Sequence, residues 1–166
     1  VVRATALQVN DRYGFIFGLG FPVSLLKAYY GGEGRGKWKT IRVLLKILFS
    51  SLERDGRSGK FFHPFKADIR IEGEKMPMGR YTAILGSTVK EVGLGFKPTR
   101  RAGEREGFFQ ILCCDMGPVR MGLTALKVLL GIKLRDSKLF DRMVTRSVIT
   151  LEKPVDMQMD GERGSP

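Results

Sequence analysis

The chain has 166 residues, 43% of them hydrophobic, and a formal net charge of +12 from 29 basic and 17 acidic side chains. This length supports one hydrophobic core, and the longest apolar runs (residues 43–45 and 47–49) are interrupted by lysine and too short to span a bilayer. The charge favours a polyanionic partner, such as nucleic acid, anionic lipid headgroups or nucleotide phosphates. Cys113 and Cys114 are adjacent, so no disulfide framework is expected and a reducing cytoplasm is the default compartment.

The N-terminal third predicts two strands followed by two helices. RATALQVN (residues 3–10) and RYGFIFGLG (residues 12–20) alternate as strands, with Asn10 and Asp11 in the turn between them. PVSLLKAYYGG (residues 22–32) is typical of a short helix, because proline is near its start and glycines end it. KWKTIRVLLKILFSSLER (residues 37–54) predicts a longer helix.

The longer helix has two stripes at helical spacing. The apolar stripe is Trp38, Ile41, Leu45, Leu48 and Leu52; the basic stripe is Lys39, Arg42 and Lys46. This pattern is typical of a segment lying on an anionic membrane, and equally of a core-packed helix with a solvated basic face. The second interpretation is the more ordinary one.

The remainder is mainly strand. ADIRIEG, GRYTAILGSTV, EVGLGFKP and GFFQILCCD lie between residues 67 and 115 and are separated by glycine, proline and charged turns. A helix is predicted at residues 119–130, followed by strands MVTRSVITLEK and PVDMQMDGE, which Pro154 divides. Strands in runs, with helices inserted between them, predict a mainly β fold with helical excursions (α+β) built on antiparallel sheets.

A phosphate-loop-like segment and the single histidine both lack the neighbouring residues that their chemistry requires. GGEGRGKW (residues 31–38) satisfies the phosphate-loop pattern except that Trp38 replaces the Ser or Thr, and the segment before it predicts a helix instead of a strand. A linker between two helices is the better interpretation. His63 is the only histidine and has no nearby cysteine or acidic cluster, so a structural or surface placement is expected.

One acidic phrase occurs twice. ADIRIEGEK (residues 67–75) and VDMQMDGER (residues 155–163) both alternate and end in an acid, a glycine, a glutamate and a base. The glycine permits a sharp turn, and the flanking carboxylates could serve as a general base or as metal ligands. Both phrases are also typical of hairpin turns, and the residues alone do not separate Glu74 from Glu162.

A resemblance to a known protein family distinguishes the two copies of the acidic phrase. RYGFIFGLGFP (residues 12–22), residues 84–112 with their glycine-rich turn, and the Asp-Gly-Glu strand end of PVDMQMDGER resemble the C-terminal half of soluble bacterial lipid kinases. These are the diacylglycerol kinases, relatives of sphingosine and ceramide kinases. The resemblance implies an antiparallel β-sandwich, the second domain of the architecture shared with NAD kinase. Residues 1–166 would form this single domain, and the nucleotide-binding domain with its GGDGT-type motif would precede it.

The resemblance also implies site residues and cofactors. Glu162 corresponds to the general base that takes the proton of a lipid hydroxyl, and Asp160 would assist by hydrogen bonding or through Mg²⁺. ATP would be held mainly by the preceding domain, so that this part alone would be inactive. A structural Mg²⁺ site corresponds to Glu106 with the carbonyls of Gly103 and Phe108, although the family has Asp where this chain has Glu106. The repeated phrase around Glu72 and Glu74 matches no catalytic motif and is assigned to a hairpin.

The expected partners are a lipid substrate, an anionic membrane surface and ATP, with no nucleic acid, and the resemblance is compatible with a homodimer. The expected location is cytoplasmic with peripheral membrane attachment. The alternative is a non-catalytic basic module that binds anionic lipid or nucleic acid through its charge of +12.

Overall fold

The computed structural model describes residues 5–31, 37–52, 62–77, 79–92, 95–134 and 136–164. The helices are α1 (Phe21–Tyr30), α2 (Lys37–Leu52) and α3 (Pro118–Leu129). The strands are β1 (Leu7–Val9), β2 (Arg12–Gly14), β3 (Ile16–Gly20), β4 (Phe65–Ile71), β5 (Glu74–Lys75), β6 (Arg80–Tyr81), β7 (Ala83–Ser87), β8 (Phe109–Cys114), β9 (Leu139–Val144), β10 (Ser147–Leu151), β11 (Met157–Met159) and β12 (Glu162–Gly164).

The strands form two main antiparallel sheets and a short hairpin. The larger sheet has the order β12-β11-β3-β7-β8-β9, and the smaller has β4 paired with β10, β5 and β6. β1 pairs only with β2 among the described strands. Every described strand pair is antiparallel, as the runs of strands predicted.

The main hydrophobic core lies between the two sheets. It contains side chains of the larger sheet, such as Phe17, Ile84 and Ile111, together with Ile69 and Tyr81 of the smaller one. Ile69, Ile84 and Tyr81 are completely buried. Alternating residues of both sheets therefore face one shared layer, which is the packing of a β-sandwich.

A second apolar cluster covers the outer face of the larger sheet. Phe21 and Leu25 of α1, Leu44 of α2, and Met121 and Ala125 of α3 pack there against the sheet. The helices thus shield the face that the sandwich core does not use.

The start of α1 depends on Gly20. This residue has φ +71°, and a Cβ added to it would lie 2.5 Å from the carbonyl oxygen of Thr82. The next amide, of Phe21, donates a hydrogen bond to that same carbonyl oxygen at 2.9 Å. Only glycine fits this conformation and this close approach, so the sequence can turn from β3 directly into α1 across the sheet.

The structure confirms the predicted helices and most strands, with five corrections. Residues 12–20 form two strands, because Phe15 interrupts them, and residues 143–153 are divided at Thr145 and Arg146. The predicted strand at 79–89 is divided at Thr82, so that β6 pairs in the smaller sheet and β7 in the larger one. The described part of 91–98 is not a strand; a hydrogen bond from the amide of Val92 to the carbonyl of Phe96 closes a turn there.

The fifth correction concerns the apolar stripe of α2. Trp38 is 77% exposed, and among the α2 side chains that the structure describes Leu44 is the buried one. The side chains at 48 and 52, and the predicted loop at 32–36, lie outside the described residues. In the part of the chain that is described, no helix is long and apolar enough to cross a membrane.

The buried thiols predict a specific pH dependence of stability. Burial raises the pKa of Cys113 to about 12 and that of Cys114 to about 11. Above about pH 9 the thiols ionise in the unfolded chain but stay protonated in the folded one, so stability must fall as pH rises toward 11. We expect a decline of up to about 1.4 kcal/mol per pH unit for each thiol, measured by urea unfolding.

The double variant Cys113→Ser, Cys114→Ser is the control for this prediction. Serine does not ionise in this range, so its decline between pH 9 and 11 should be shallower. Tyr81, whose pKa burial raises to about 12, accounts for part of the remainder. An identical slope in both proteins would contradict the assignment to the thiols.

Candidate active site at the Asp-Gly-Glu turn

The two acidic phrases form the same kind of hairpin. Glu72 and Gly73 connect β4 to β5 with φ of +51° and +91°, and Asp160 and Gly161 connect β11 to β12 with φ of +49° and +90°. Positive φ at both central residues of a two-residue loop is the pattern of a type I′ turn, whose twist suits a hairpin. The repetition therefore has a structural cause, and any functional difference must come from the surroundings.

The Asp160 carboxylate is used to hold the junction between β2 and β3. Its Oδ1 accepts hydrogen bonds from the amides of Phe15 and Ile16 at 2.9 and 2.8 Å, and Oδ2 lies 3.1 Å from the Phe15 amide. The Asp160 amide donates in turn to the carbonyl of Ile16 at 2.9 Å. Gly14 makes room for this contact, since a Cβ there would be 2.5 Å from Oδ2. The turn is thus tied to the strand that precedes α1.

The side chain of Gln158 is hydrogen bonded to the backbone of this turn. It is buried, and its Oε1 accepts a hydrogen bond from the amide of Gly161 at 3.0 Å. Gly18 pairs with Gln158 across the sheet, and a Cβ at Gly18 would lie 3.0 Å from the side-chain nitrogen Nε2 of Gln158. Sequence reasoning missed Gln158, although a glycine-rich facing strand is a signal that a large polar side chain can be accommodated there.

An apolar cavity of about 250 Å³ opens beside this turn. It lies between α1 and the outer face of the larger sheet, and Asp160 and Gly161 form part of its wall. Its other walls are Ile16, Phe21, Pro22, Leu25, Leu26, Tyr30, Leu85, Val92, Phe96 and Gln158. Apolar walls with a few polar groups at one end are typical of a small-molecule site, and the volume fits part of a lipid molecule.

Glu162 is exposed and lies on the edge strand β12. It pairs with Met159, which pairs in turn with Phe17. Since directly opposite residues share a face, the Glu162 side chain lies on the sandwich side of the sheet, whereas Gln158 lies on the cavity side. The structure therefore brings Asp160 and Gly161 to the cavity, with Glu162 adjoining the turn at the sheet edge.

The other copy of the acidic phrase makes longer hydrogen bonds and lies beside no described cavity. The Glu72 carboxylate lies 3.4 Å from both the amide and the hydroxyl of Thr145, at the limit of a hydrogen bond. Neither Glu72 nor Glu74 lines a described cavity. The surroundings favour the Asp160 copy as the functional one.

Gln110 holds the segment just before the predicted Mg²⁺ residues Gly103, Glu106 and Phe108. Its Oε1 accepts hydrogen bonds from the amides of Arg101 and Ala102 at 2.8 and 3.1 Å. Glu106 is exposed, and the guanidinium of Arg105 lies 4.0 Å from the ring centre of Phe108.

Within the described residues, no three His, Cys, Asp or Glu side chains come together as metal ligands. One exposed carboxylate among arginines does not fit a hard cation through side chains alone. Ligation of Mg²⁺ by Glu106 with the carbonyls of Gly103 and Phe108 stays a prediction.

A larger hollow of about 710 Å³ lies on the other side of α1. It is lined by His63 and by two ion pairs, Lys27 with Asp156 and Lys66 with Glu152. His63 is exposed there, as the sequence predicted. Its lining combines these charged groups with apolar residues such as Val23, Phe65 and Val155, whereas Asp160 is the one charged residue among the described residues that line the cavity beside the turn.

Comparison with known proteins agrees with this fold. No protein-family model and no curated protein sequence matches the chain. Three solved structures from Bacillus anthracis strain Sterne do match: two are described as candidate diacylglycerol kinases and one as a diacylglycerol kinase. Their TM-scores are 0.59, 0.57 and 0.59, at 13%, 12% and 15% identity.

The chain is similar in fold to these bacterial kinases. The alignments cover 92%, 94% and 95% of this chain but only 46%, 45% and 49% of the solved chains, so it spans less than half of their length. The matched portion is their C-terminal part. The predicted resemblance is thereby confirmed for the fold.

Proposed function

We propose that this chain is the acceptor-binding, base-supplying part of an ATP-dependent kinase that phosphorylates a lipid hydroxyl. The observation that carries the proposal is the apolar cavity walled by Asp160 and Gly161. The likeness in fold to structures described as diacylglycerol kinases supports it. The lipid is diacylglycerol-like or sphingoid, and the preceding domain that the resemblance implies would bind the nucleotide.

Glu162 acts as the general base in this proposal. Since Glu162 is not part of the cavity wall, the lipid hydroxyl would project past the turn to the sheet edge. There the Glu162 carboxylate takes its proton, and the hydroxyl oxygen forms a bond to the γ-phosphorus of ATP while the bond to the β–γ bridging oxygen breaks. The products are a lipid phosphate and ADP, and the proton passes from Glu162 to solvent. Phosphoryl transfer depends mainly on positioning and on stabilising charge, so one oriented carboxylate is enough for this role.

Asp160 is a positioning residue. Its carboxylate is already hydrogen bonded to the amides of Phe15 and Ile16, which fixes the turn that carries Glu162. The apolar walls exclude water from the acceptor, and Gln158 keeps the Gly161 amide in place. Mg²⁺ would neutralise phosphate charge when bound; no residue of this chain is assigned to it in the reaction.

The net charge of +12 supports an anionic membrane as the place where the acceptor is found. The same charge also favours the second candidate, a non-catalytic binding module for anionic lipid or nucleic acid. The module does not explain an apolar cavity beside the acidic turn. Transfer of labelled γ-phosphate to a lipid by the full-length protein decides between the two.

Filling the cavity should weaken the use of lipid. In Leu26→Trp the indole would occupy much of the roughly 250 Å³ beside Asp160. We expect KM for a lipid presented in mixed micelles to rise about tenfold or more, because a cavity of this size has no room for both the indole and a lipid chain. KM for ATP should stay within about twofold, since the cavity does not contact the nucleotide in this proposal.

Val148→Trp is the matched control. Val148 is exposed on β10 of the other sheet, so the same aliphatic-to-indole change should leave both KM values unchanged. An unaltered KM for lipid in Leu26→Trp, with the variant folded, would remove the cavity from the proposal.

A further inference from the structure

The outer face of α3 is apolar where a surface helix is normally polar. Val119, Leu123 and Leu130 are 39%, 45% and 65% exposed, and Ile132, just beyond the helix, is 49% exposed. The spacing of four and then seven residues puts the first three on one stripe, since each residue turns the helix by about 100°. Exposed aliphatic residues in one stripe mark an interaction site better than scattered ones do.

This stripe is not a misplaced core face. The face of α3 that packs inward is a different set, Met121, Ala125 and Val128, each at most 4% exposed. The helix end is also fixed: Gly131 has φ +77°, and the Ile132 amide donates to the Lys127 carbonyl at 2.8 Å. This cap holds Leu130 and Ile132 outward at the end of the helix.

Basic residues surround the end of this stripe. A hollow of about 340 Å³ beside Leu130 is lined by Lys90, Lys97 and Arg100. Of these, Lys97 pairs with Glu91 at 3.4 Å, and Arg100 donates to the carbonyl of Gly131. Lys127 and Lys133 are exposed near the same end of α3. The surface is therefore an aliphatic ridge with a cationic rim.

We infer that this surface, the α3 ridge, docks onto the anionic face of a phospholipid bilayer. Leu123, Leu130 and Ile132 would enter the interface while the cations of the rim approach lipid phosphates, as in interfacial amphipathic helices. A second copy fits less well, because a two-fold contact through this face would bring the cationic rims together. The inference deepens the proposed function and rests on it only for the expectation that the acceptor is a membrane lipid.

The α3 ridge differs from the segment that the sequence offered for contact with a membrane. The sequence suggested α2 as the membrane-facing segment, through Lys39, Arg42 and Lys46. In the structure the Lys39 ammonium lies 4.4 Å from the ring centre of Tyr29, so one cation of that stripe is engaged within the protein. Among the described residues, the α3 ridge combines several exposed aliphatic side chains with the exposed cations Lys127 and Lys133.

The test is sedimentation of the protein with large vesicles of phosphatidylcholine, with or without phosphatidylglycerol. We expect the wild-type chain to prefer phosphatidylglycerol vesicles and to lose binding with salt. Leu123→Ser, Leu130→Ser should lower the partition coefficient on the order of 10- to 100-fold. Lys127→Gln, Lys133→Gln should lower it by roughly 10-fold or more, since each cation near an anionic surface contributes about fivefold.

Matched controls change the same chemistry elsewhere. Val148→Ser removes an exposed aliphatic side chain from β10, and Arg12→Gln removes an exposed cation from β2. Both should bind vesicles like the wild type, and all variants should melt like it because the changed residues are exposed. Wild-type vesicle binding by the serine double variant would overturn the inference, as would an equal loss in Val148→Ser. Unchanged vesicle binding with a change in oligomeric state would assign the ridge to another protein surface instead.

Failure of the docking surface can be told apart from failure of the proposed function. With lipid dispersed in detergent micelles, the α3 ridge variants of the full-length protein should phosphorylate as the wild type does. Glu162→Gln should bind vesicles normally. If no lipid is phosphorylated but the vesicle results hold, the docking surface stands without the kinase.

Discussion

Glu162→Gln in the full-length protein should lower kcat for phosphate transfer to lipid by about 10²- to 10⁴-fold, the range that a positioned general base contributes. Glutamine is nearly the same size, so the β11–β12 hairpin should keep its shape, but its amide cannot accept the proton of the lipid hydroxyl. ATP affinity should be unchanged, because the base acts on the acceptor. The measurements are steady-state transfer of labelled phosphate and equilibrium binding of the nucleotide.

The second copy of the phrase supplies the control for this prediction. Glu74 occupies the same position after a turn of the same type, on β5 instead of β12. Glu74→Gln therefore makes an identical chemical change in an equivalent backbone, away from the cavity, and should stay within about twofold of the wild type. Near-normal activity of Glu162→Gln would refute its role as base, and a large loss in Glu74→Gln alone would transfer the role to the other hairpin.

Local patterns predicted much of the fold. Alternation predicted strands within 67–73 and 154–162, where the structure has β4 and β11, and prolines with glycines marked both ends of α1. Both acidic phrases were predicted as hairpins and have positive φ at their central residues. These features depend on the preferences of a few neighbouring residues, which a sequence displays directly.

The misassigned elements depend on distant contacts. The described residues of 91–98 do not form a strand, because alternation states only that a strand could pair and not that a partner is present. The predicted apolar stripe of α2 began at Trp38 and omitted Leu44, but Leu44 is buried because contacts with α1 and α3 determine which face is covered.

Only part of the candidate site could be predicted from the sequence. Asp160 and Glu162 could be named from an acidic turn and a family resemblance. The cavity requires α1, the larger sheet and the segment around Val92 and Phe96 to come together, which no local pattern shows. The hydrogen bonds of Asp160 to Phe15 and Ile16 were equally hidden, because they span 144 or more residues of sequence. Such contacts depend on tertiary structure and can be read only from coordinates.

Asp160→Ala should lower the free energy of unfolding by about 2 kcal/mol. The change removes the carboxylate that accepts hydrogen bonds from the amides of Phe15 and Ile16, and bonds to a charged group contribute about 1.5–3 kcal/mol. Because Asp160 is exposed, water will replace part of the lost hydrogen bonding and reduce the destabilisation. Alanine adds to the destabilisation, because it fits the left-handed conformation of residue 160 less well than aspartate does. Urea unfolding with an unchanged m value measures the difference.

Glu72→Ala is the matched variant for this second prediction, since Glu72 has almost the same φ in the other type I′ turn. Its contacts with Thr145 are 3.4 Å long, so the loss there should be within about 0.5 kcal/mol. Asp160→Asn retains an oxygen at Oδ1 and should recover most of both stability and kcat, with the pH profile of transfer unchanged. A base would not be rescued by asparagine, because an amide does not take up a proton. Equal destabilisation by Asp160→Ala and Glu72→Ala would show that the carboxylate does not hold the β2–β3 junction, whereas a kcat that stays low in Asp160→Asn would make Asp160 a participant in the chemistry.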